Sequence, residues 1–172
     1  MVQLPIKTEL GMATLGIPVI KGGAWAVVVA DSKVAGGADQ TAGSIKNGNP
    51  GYPEISRTRN CVNCSIATEA TLVGNPASAL PINYTKGVPL SALEKQSGSK
   101  FGPVTAPEAI AHQMANSGNG ARGIVFGSYG PGQSGHVFNV VNQNGVVRFL
   151  DGQTGRPAKF GDFKALQLLR TN

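Results

Sequence analysis

The chain has 172 residues, with 24 glycines and 11 prolines, and only 14% of its residues are charged against 41% apolar. That glycine and proline share exceeds the roughly 12% of ordinary proteins but stays below the roughly 25–30% of low-complexity chains, so disorder is excluded and one domain with a single core is expected. The net charge of +6 makes nucleic acid a partner to weigh. The cations are scattered, however, Arg57-Thr58-Arg59 being the densest group, and none interleaves with aromatics as a strand-binding groove requires, so no nucleic-acid partner is assigned.

Two apolar runs open the chain, Gly11 to Ile20 and Ala24 to Ala30, with Lys21 between them. Neither reaches the roughly 20 residues of a membrane span, and joining them puts a lysine in the middle; membrane contact by residues 1–30 is the lesser reading. Glu9 and Lys21 also break a signal-peptide pattern. From Ala35 to Asn49 the chain is small and polar, a linker, and Asn49-Pro50-Gly51-Tyr52-Pro53 then reads as a rigid turn.

Residues 61–73 are expected to form a short buried helix with Cys61, Cys64, Ala67 or Thr68, and Thr71 or Leu72 on one face. Asn60 is its N-cap and Gly74 its stop. Thr105-Ala106-Pro107-Glu108 has the form of a capping box, opening a second helix over Pro107 to Asn116. Gly123 to Gly127 reads as a short buried strand. His136 to Val141 and Val146 to Asp151 read as a hairpin about Asn144-Gly145, and Phe163 to Arg170 as a terminal helix. The order is that of an α+β protein.

The two cysteines, Cys61 and Cys64, form a C-x-x-C. A zinc site needs two further ligands, and His112 and His136 lack the spacing to supply them; a redox pair wants a buried strand directly before the motif, and Ser56 to Asn60 is not one. No metal and no cofactor are assigned. With a two-residue turn at Asn144-Gly145, His136 faces Gln153 and lies diagonal to Asp151; a slip of two residues sets it opposite Asp151. Both registers put an imidazole, an acid and Gln153 on one face at one end of the hairpin. An acid that orients an imidazole is two thirds of a nucleophile/base/orienter triad. A cysteine at a helix start supplies the rest, because unpaired N–H groups there stabilise a thiolate and can receive an oxyanion. That favours Cys61, at the helix start, over Cys64, one turn in. The plainer alternative is a binding module in which both thiols are core residues; His112, mid-helix and without an acid partner, reads as structural.

The segment Arg59-Asn60-Cys61-Val62-Asn63-Cys64-Ser65-Ile66-Ala67-Thr68, continuing through Leu72-Val73-Gly74-Asn75-Pro76 to Leu80, resembles the papain-fold toxins, also described as Tox-PL glutamine deamidases. Gly135-His136-Val137-Phe138-Asn139 and Phe149-Leu150-Asp151-Gly152-Gln153-Thr154-Gly155 carry the second half of the resemblance. It implies a papain-like cysteine hydrolase fold, with its Cys-bearing helix packed on a small antiparallel sheet. It also implies a triad of Cys61 as nucleophile, His136 as base and Asp151 as orienter, with Gln153, Asn60 and Cys64 as additional site candidates. The glutamine that papain places shortly before its cysteine has no counterpart between Asn47 and Asn60. The implied activity is protein-glutamine deamidation; proteolysis and transglutamination share its acyl-enzyme. Family members look like warheads of large secreted polymorphic toxins, such as Rhs-type proteins. The resemblance therefore implies delivery into a target cell, a target-cell protein as substrate and a cognate immunity protein as partner. On this reading residues 1–45 are an upstream delivery segment and linker, and 46–172 the toxin domain.

Overall fold

The computed structural model describes residues 27–29, 45–82 and 88–172. The first apolar run, most of the second and the polar stretch up to residue 44 lie outside the described residues. Among the described residues, no helix is long and apolar enough to cross a membrane. Strand β1 (Val27–Val29) pairs antiparallel with β2 (Ala77–Ala79). Helix α1 spans Cys61–Leu72, α2 Leu90–Ser97 and α3 Pro107–Asn116. The strands β3 (Arg122–Ser128), β4 (His136–Gln143), β5 (Val146–Asp151), β6 (Arg156–Pro157) and β7 (Ala165–Arg170) form one antiparallel sheet in the order β6-β5-β4-β3-β7. The expected α+β order, a Cys-bearing helix packed on an antiparallel sheet, is the one observed.

The sheet is covered on both faces, and strand alternation sorts its side chains between them. Ile124, Val137 and Leu169 turn towards α1, joining Val62, Ile66 and Ala70 in one apolar cluster. Val125, Phe138, Val140, Leu166 and Leu168 turn the other way and pack with Ile110 and Met114 of α3. Helix α1 is buried all round from Val62 to Ala70, not along a single face. Small residues such as Ser65, Ala67 and Ala70 let the sheet and β2 approach it closely, which is the environment of a central helix rather than a surface one.

Three expectations fail, each because tertiary pairing overrides local pattern. Phe163 to Arg170 is not a helix: Ala165–Arg170 pairs with β3 from Ser128↔Ala165 to Gly123↔Arg170, satisfying the open backbone edge of β3 and burying Leu166, Leu168 and Leu169 on both faces. The capping box does not form. Ala106 occupies the N-cap of α3 without a side-chain cap, while Thr105 donates its N–H to Leu166 (2.9 Å) and bridges to β7. The linker reading ends early, because Ile45 and Asn49 are buried and the Ala79 N–H bonds the Gly48 carbonyl at 2.7 Å.

Inside the helix-sheet layer, Glu69 of α1 is fully buried and takes hydrogen bonds from Arg122 Nε (2.8 Å) and Thr171 Oγ1 (2.7 Å), tying α1 to β3 and to the C-terminal strand. Removing one partner of a buried pair leaves an uncompensated charge. Arg122→Ala is therefore expected to lower unfolding free energy by about 3–5 kcal/mol, measured by urea titration, with little effect if Glu69 finds water instead.

Candidate active site

The catalytic candidates meet where the sheet ends and the two apolar clusters adjoin. The hairpin takes the tighter of the two registers, from Gln143↔Val146 to Asn139↔Leu150. Asn144 (φ 54°) and Gly145 (φ 84°) supply the two left-handed positions of its turn, as a type I′ connection requires. The β4–β5 ladder ends at Leu150, and Asp151 turns away to pair with Arg156 of β6. That leaves the Asp151 carboxylate diagonal to His136, whose Nε2 lies 3.2 Å from Asp151 Oδ1. The same carboxylate accepts the Gln153 N–H at Oδ1 (3.0 Å) and the Thr154 hydroxyl at Oδ2 (2.9 Å), so it is locked in place by its own turn.

Nε2 being engaged by Asp151, Nδ1 is the ring nitrogen left for Cys61, which hydrogen-bonds His136 from the start of α1. Burial works against a charged imidazole here. The hydrogen bonds to Asp151 and Cys61 and the charge of both groups outweigh it, and the His136 pKa is pushed up to about 10. For Asp151 burial likewise opposes charge, but the bond and charge of His136, with Thr154 and the Gln153 N–H, hold its carboxyl below the ordinary value. The ring of Phe163 lies nearly parallel to the imidazole (9°, centroids 6.5 Å apart) and that of Phe138 is tilted by 29° at 6.2 Å, so aromatic rings flank it.

The first helical bond of α1 runs from the Cys64 N–H to the Asn60 carbonyl (3.0 Å), so the N–H groups of Cys61 and Val62 have no intrahelical acceptor. Asn60 occupies the N-cap position, yet its side chain does not cap. Its amide instead donates to Asn49 Oδ1 (2.8 Å) and to the Leu80 carbonyl (3.1 Å). Asn49 in turn donates to the carbonyls of Arg57 (2.9 Å) and Gln153 (3.0 Å). This buried asparagine, the first residue of the expected turn, joins the start of α1 to the Asp151-Gly152-Gln153 segment. Gly152 completes the junction: a Cβ there would run into Thr68 Oγ1 and the Cys64 backbone.

A cleft of about 1400 Å³ opens over these groups, lined by Cys61, His136, Asp151 and Gln153 among others. Gln153 is only 9% exposed, and its carboxamide makes no hydrogen bond among the described residues. Cys64 and Asn60 face the interior, and burial raises the Cys64 thiol pKa far above the ordinary value. His112 is exposed on α3, away from the cleft. Among the described residues no cluster of ligating side chains could hold a metal.

Residues 59–156, more than half of the chain, match the family described as papain fold toxin 1, glutamine deamidase. The chain belongs to that family. Its fold is also that of the Salmonella effector SpvD, solved as its G161 variant, with a TM-score of 0.55 over 95% of this chain and 91% of that one at 13% identity. No curated protein matches the sequence. The family match spans both halves of the site, from Arg59 before the helix to Arg156 on β6, and at family level it marks a cysteine-dependent, hydrolase-like enzyme of the toxin class.

Two outcomes follow from this geometry. Iodoacetamide should alkylate Cys61, half-buried at the cleft, while Cys64 resists until the chain unfolds; peptide mapping reads this, and equal labelling of both thiols would contradict it. In imidazole NMR, His136 should stay protonated from neutral pH up to about pH 10, and Asp151→Asn should move its titration down towards the ordinary value of about 6.5. Because the folded pKa is the higher one, the stability His136 contributes is complete below its unfolded pKa and is lost as pH rises through about 10.

Proposed function

We propose that this chain is a protein-glutamine deamidase, the catalytic domain of a toxin that acts on a protein inside a target cell. The observation that carries the reading is the chain of contacts Cys61, His136, Asp151 at the floor of one cleft, in a member of a glutamine deamidase family. Delivery as part of a larger secreted toxin and protection of the producer by an immunity protein belong to the same proposal and rest on the family alone.

The Cys61 sulfur attacks the side-chain carbonyl carbon of a substrate glutamine. Charge then develops on the carbonyl oxygen, and the donors assigned to it are the Cys61 backbone N–H at the helix start and the Gln153 carboxamide in the cleft, neither with a partner among the described residues. Gln153, which lines the same cleft, is assigned the role left open by the glutamine missing before Cys61. His136, held as an imidazolium between Cys61 and Asp151, gives its proton to the departing nitrogen, and ammonia leaves. The now neutral imidazole takes a proton from water, whose oxygen attacks the thioester; glutamate is released and the thiolate restored. Asp151 orients the ring and offsets its charge through both half-reactions.

Exposing target-cell proteins to the 172-residue chain should produce a mass gain of about 1 Da at a glutamine, the difference between an amide and an acid. Cys61→Ala and His136→Ala should each abolish it, with losses of at least about a thousandfold, and Gln153→Ala should lower kcat about 100- to 1,000-fold with little change in KM. Persistence of the modification in Cys61→Ala would overturn the mechanism. Backbone cleavage, or addition of an amine in place of the acid, would identify the same acyl-enzyme resolved in a protease or a transglutaminase.

A further inference from the structure

At about 1400 Å³ the cleft is larger than the roughly 300–1,000 Å³ of small-molecule sites, and its walls differ in character. One wall is apolar, made by Val62, Val88, Leu90 and Phe126, which belong to the α1 cluster. Three exposed cations, Arg59, Arg156 and Lys159, stand around the same opening. None of the three has an ion-pair partner among the described residues. Arg59 precedes the nucleophile by two positions, and Arg156 sits directly across the β5–β6 ladder from Asp151, so positive charge flanks the thiol on the helix side and on the sheet side.

Few carboxylates are placed to neutralise this rim; Glu54 and Glu108 are exposed and do not line the cleft. Asp151 is held by His136, Glu69 by Arg122 and Glu94 by Lys100, which leaves Asp162 as the one other acid lining the cleft among the described residues. A low-dielectric wall facing unpaired cations concentrates the field in the opening and favours an anionic occupant.

We propose that the cleft selects a glutamine carried on an extended polypeptide segment with aspartate or glutamate side chains on either side of it, bound by Arg59, Arg156 and Lys159. This rests on the deamidase reading for the glutamine itself, whereas the preference for acidic flanks rests on the rim. An extended chain advances about 3.3–3.6 Å per residue, so the acids that matter lie within a few residues of the reactive side chain. The apolar wall takes the uncharged side chains that alternate with them.

The test separates binding from chemistry. Three fluorescent peptides share a central glutamine and carry Asp/Glu, Ser/Gly or Lys/Arg flanks. Their binding to the Cys61→Ala chain is read by anisotropy at about 0.1 M and about 1 M NaCl, where the screening length falls from roughly 10 Å to roughly 3 Å. The acid-flanked peptide should bind at least about tenfold more tightly than the basic one, and the advantage should collapse at high salt. Arg59→Gln, Arg156→Gln and Lys159→Gln should each weaken it by about two- to fivefold, and the triple variant should erase the preference. Equal binding of the three peptides, no binding of any, or a preference untouched by salt and by the triple variant would each overturn the proposal. Ammonia release by the wild-type chain is scored separately, so that failure of deamidation is distinguishable from failure of the flank preference.

Discussion

Just before the start of α1, on the side away from the cleft, Asn60 is buried and has to find its partners without bulk water. Asn60, fully buried at that point, spends its amide on Asn49 and on the Leu80 carbonyl, while Asn49 reaches on to Arg57 and Gln153. One side chain thus binds the loop before the helix, the helix start and the turn after β5 to each other. A buried hydrogen bond contributes only about 0.5–1.5 kcal/mol net, but a buried group left unpaired costs about 1–3 kcal/mol. These bonds couple the three segments. The Cys61 thiol stands on one of them and the Asp151 carboxylate on another, so their separation depends on an asparagine that touches neither.

The sheet supplies the third member. His136 is the first residue of β4, and β4 is fastened to α1 by the buried Asn139 amide, which donates to the Ser65 carbonyl at 3.0 Å. Further in, the same two elements share the cluster of Ile66, Ala67 and Val137, joined by Ile124 of β3. Helix and strand are thus fixed by a polar bond and by close packing at once, and the imidazole projects from the end of that joint against Phe138 and Phe163. A charged ring among aromatic neighbours is costly unless it is paired. His136 is paired on both nitrogens' sides, which is why burial and a raised pKa coexist there.

What could be read in the sequence was what depends on neighbours in the chain. Asn144-Gly145 needs only its own backbone to set the hairpin, and that turn carried the placement of His136 near Asp151; Gly74 and Pro107 likewise marked the limits of α1 and α3. What depends on distant partners was not legible. Phe163 to Arg170 has a composition that suits a helix as well as a strand, and the open edge of β3 decided between them. Asn49 looked like the first residue of a turn, which it is, since the Tyr52 N–H bonds its carbonyl at 3.2 Å. Its side chain takes on a second task only because Asn60 and Gln153 arrive beside it. Helix α2 carries no clear signal of its own: Leu90 and Leu93 give it little apolar pattern, and its fixed end owes more to Glu94, which accepts from Lys100 (2.9 Å) and from the Phe101 N–H (3.0 Å).

The glycine content follows from the same constraint. Read along the chain, the glycines before His136 suggest a mobile loop, but two of those flanking the site are places where another group occupies the space of a side chain. A Cβ on Gly127 would strike the ring of Phe163, and one on Gly135 the ring of Phe126. Phe163 is the ring parallel to His136, and Phe126 forms part of the apolar cleft wall. With Gly152 against α1, a glycine therefore stands behind His136, behind the cleft wall and beside Asp151. A small domain with few charges and a short sheet has little material from which to build a rigid site. It gains that rigidity by letting backbone touch ring and helix directly, and each such approach excludes every residue larger than glycine.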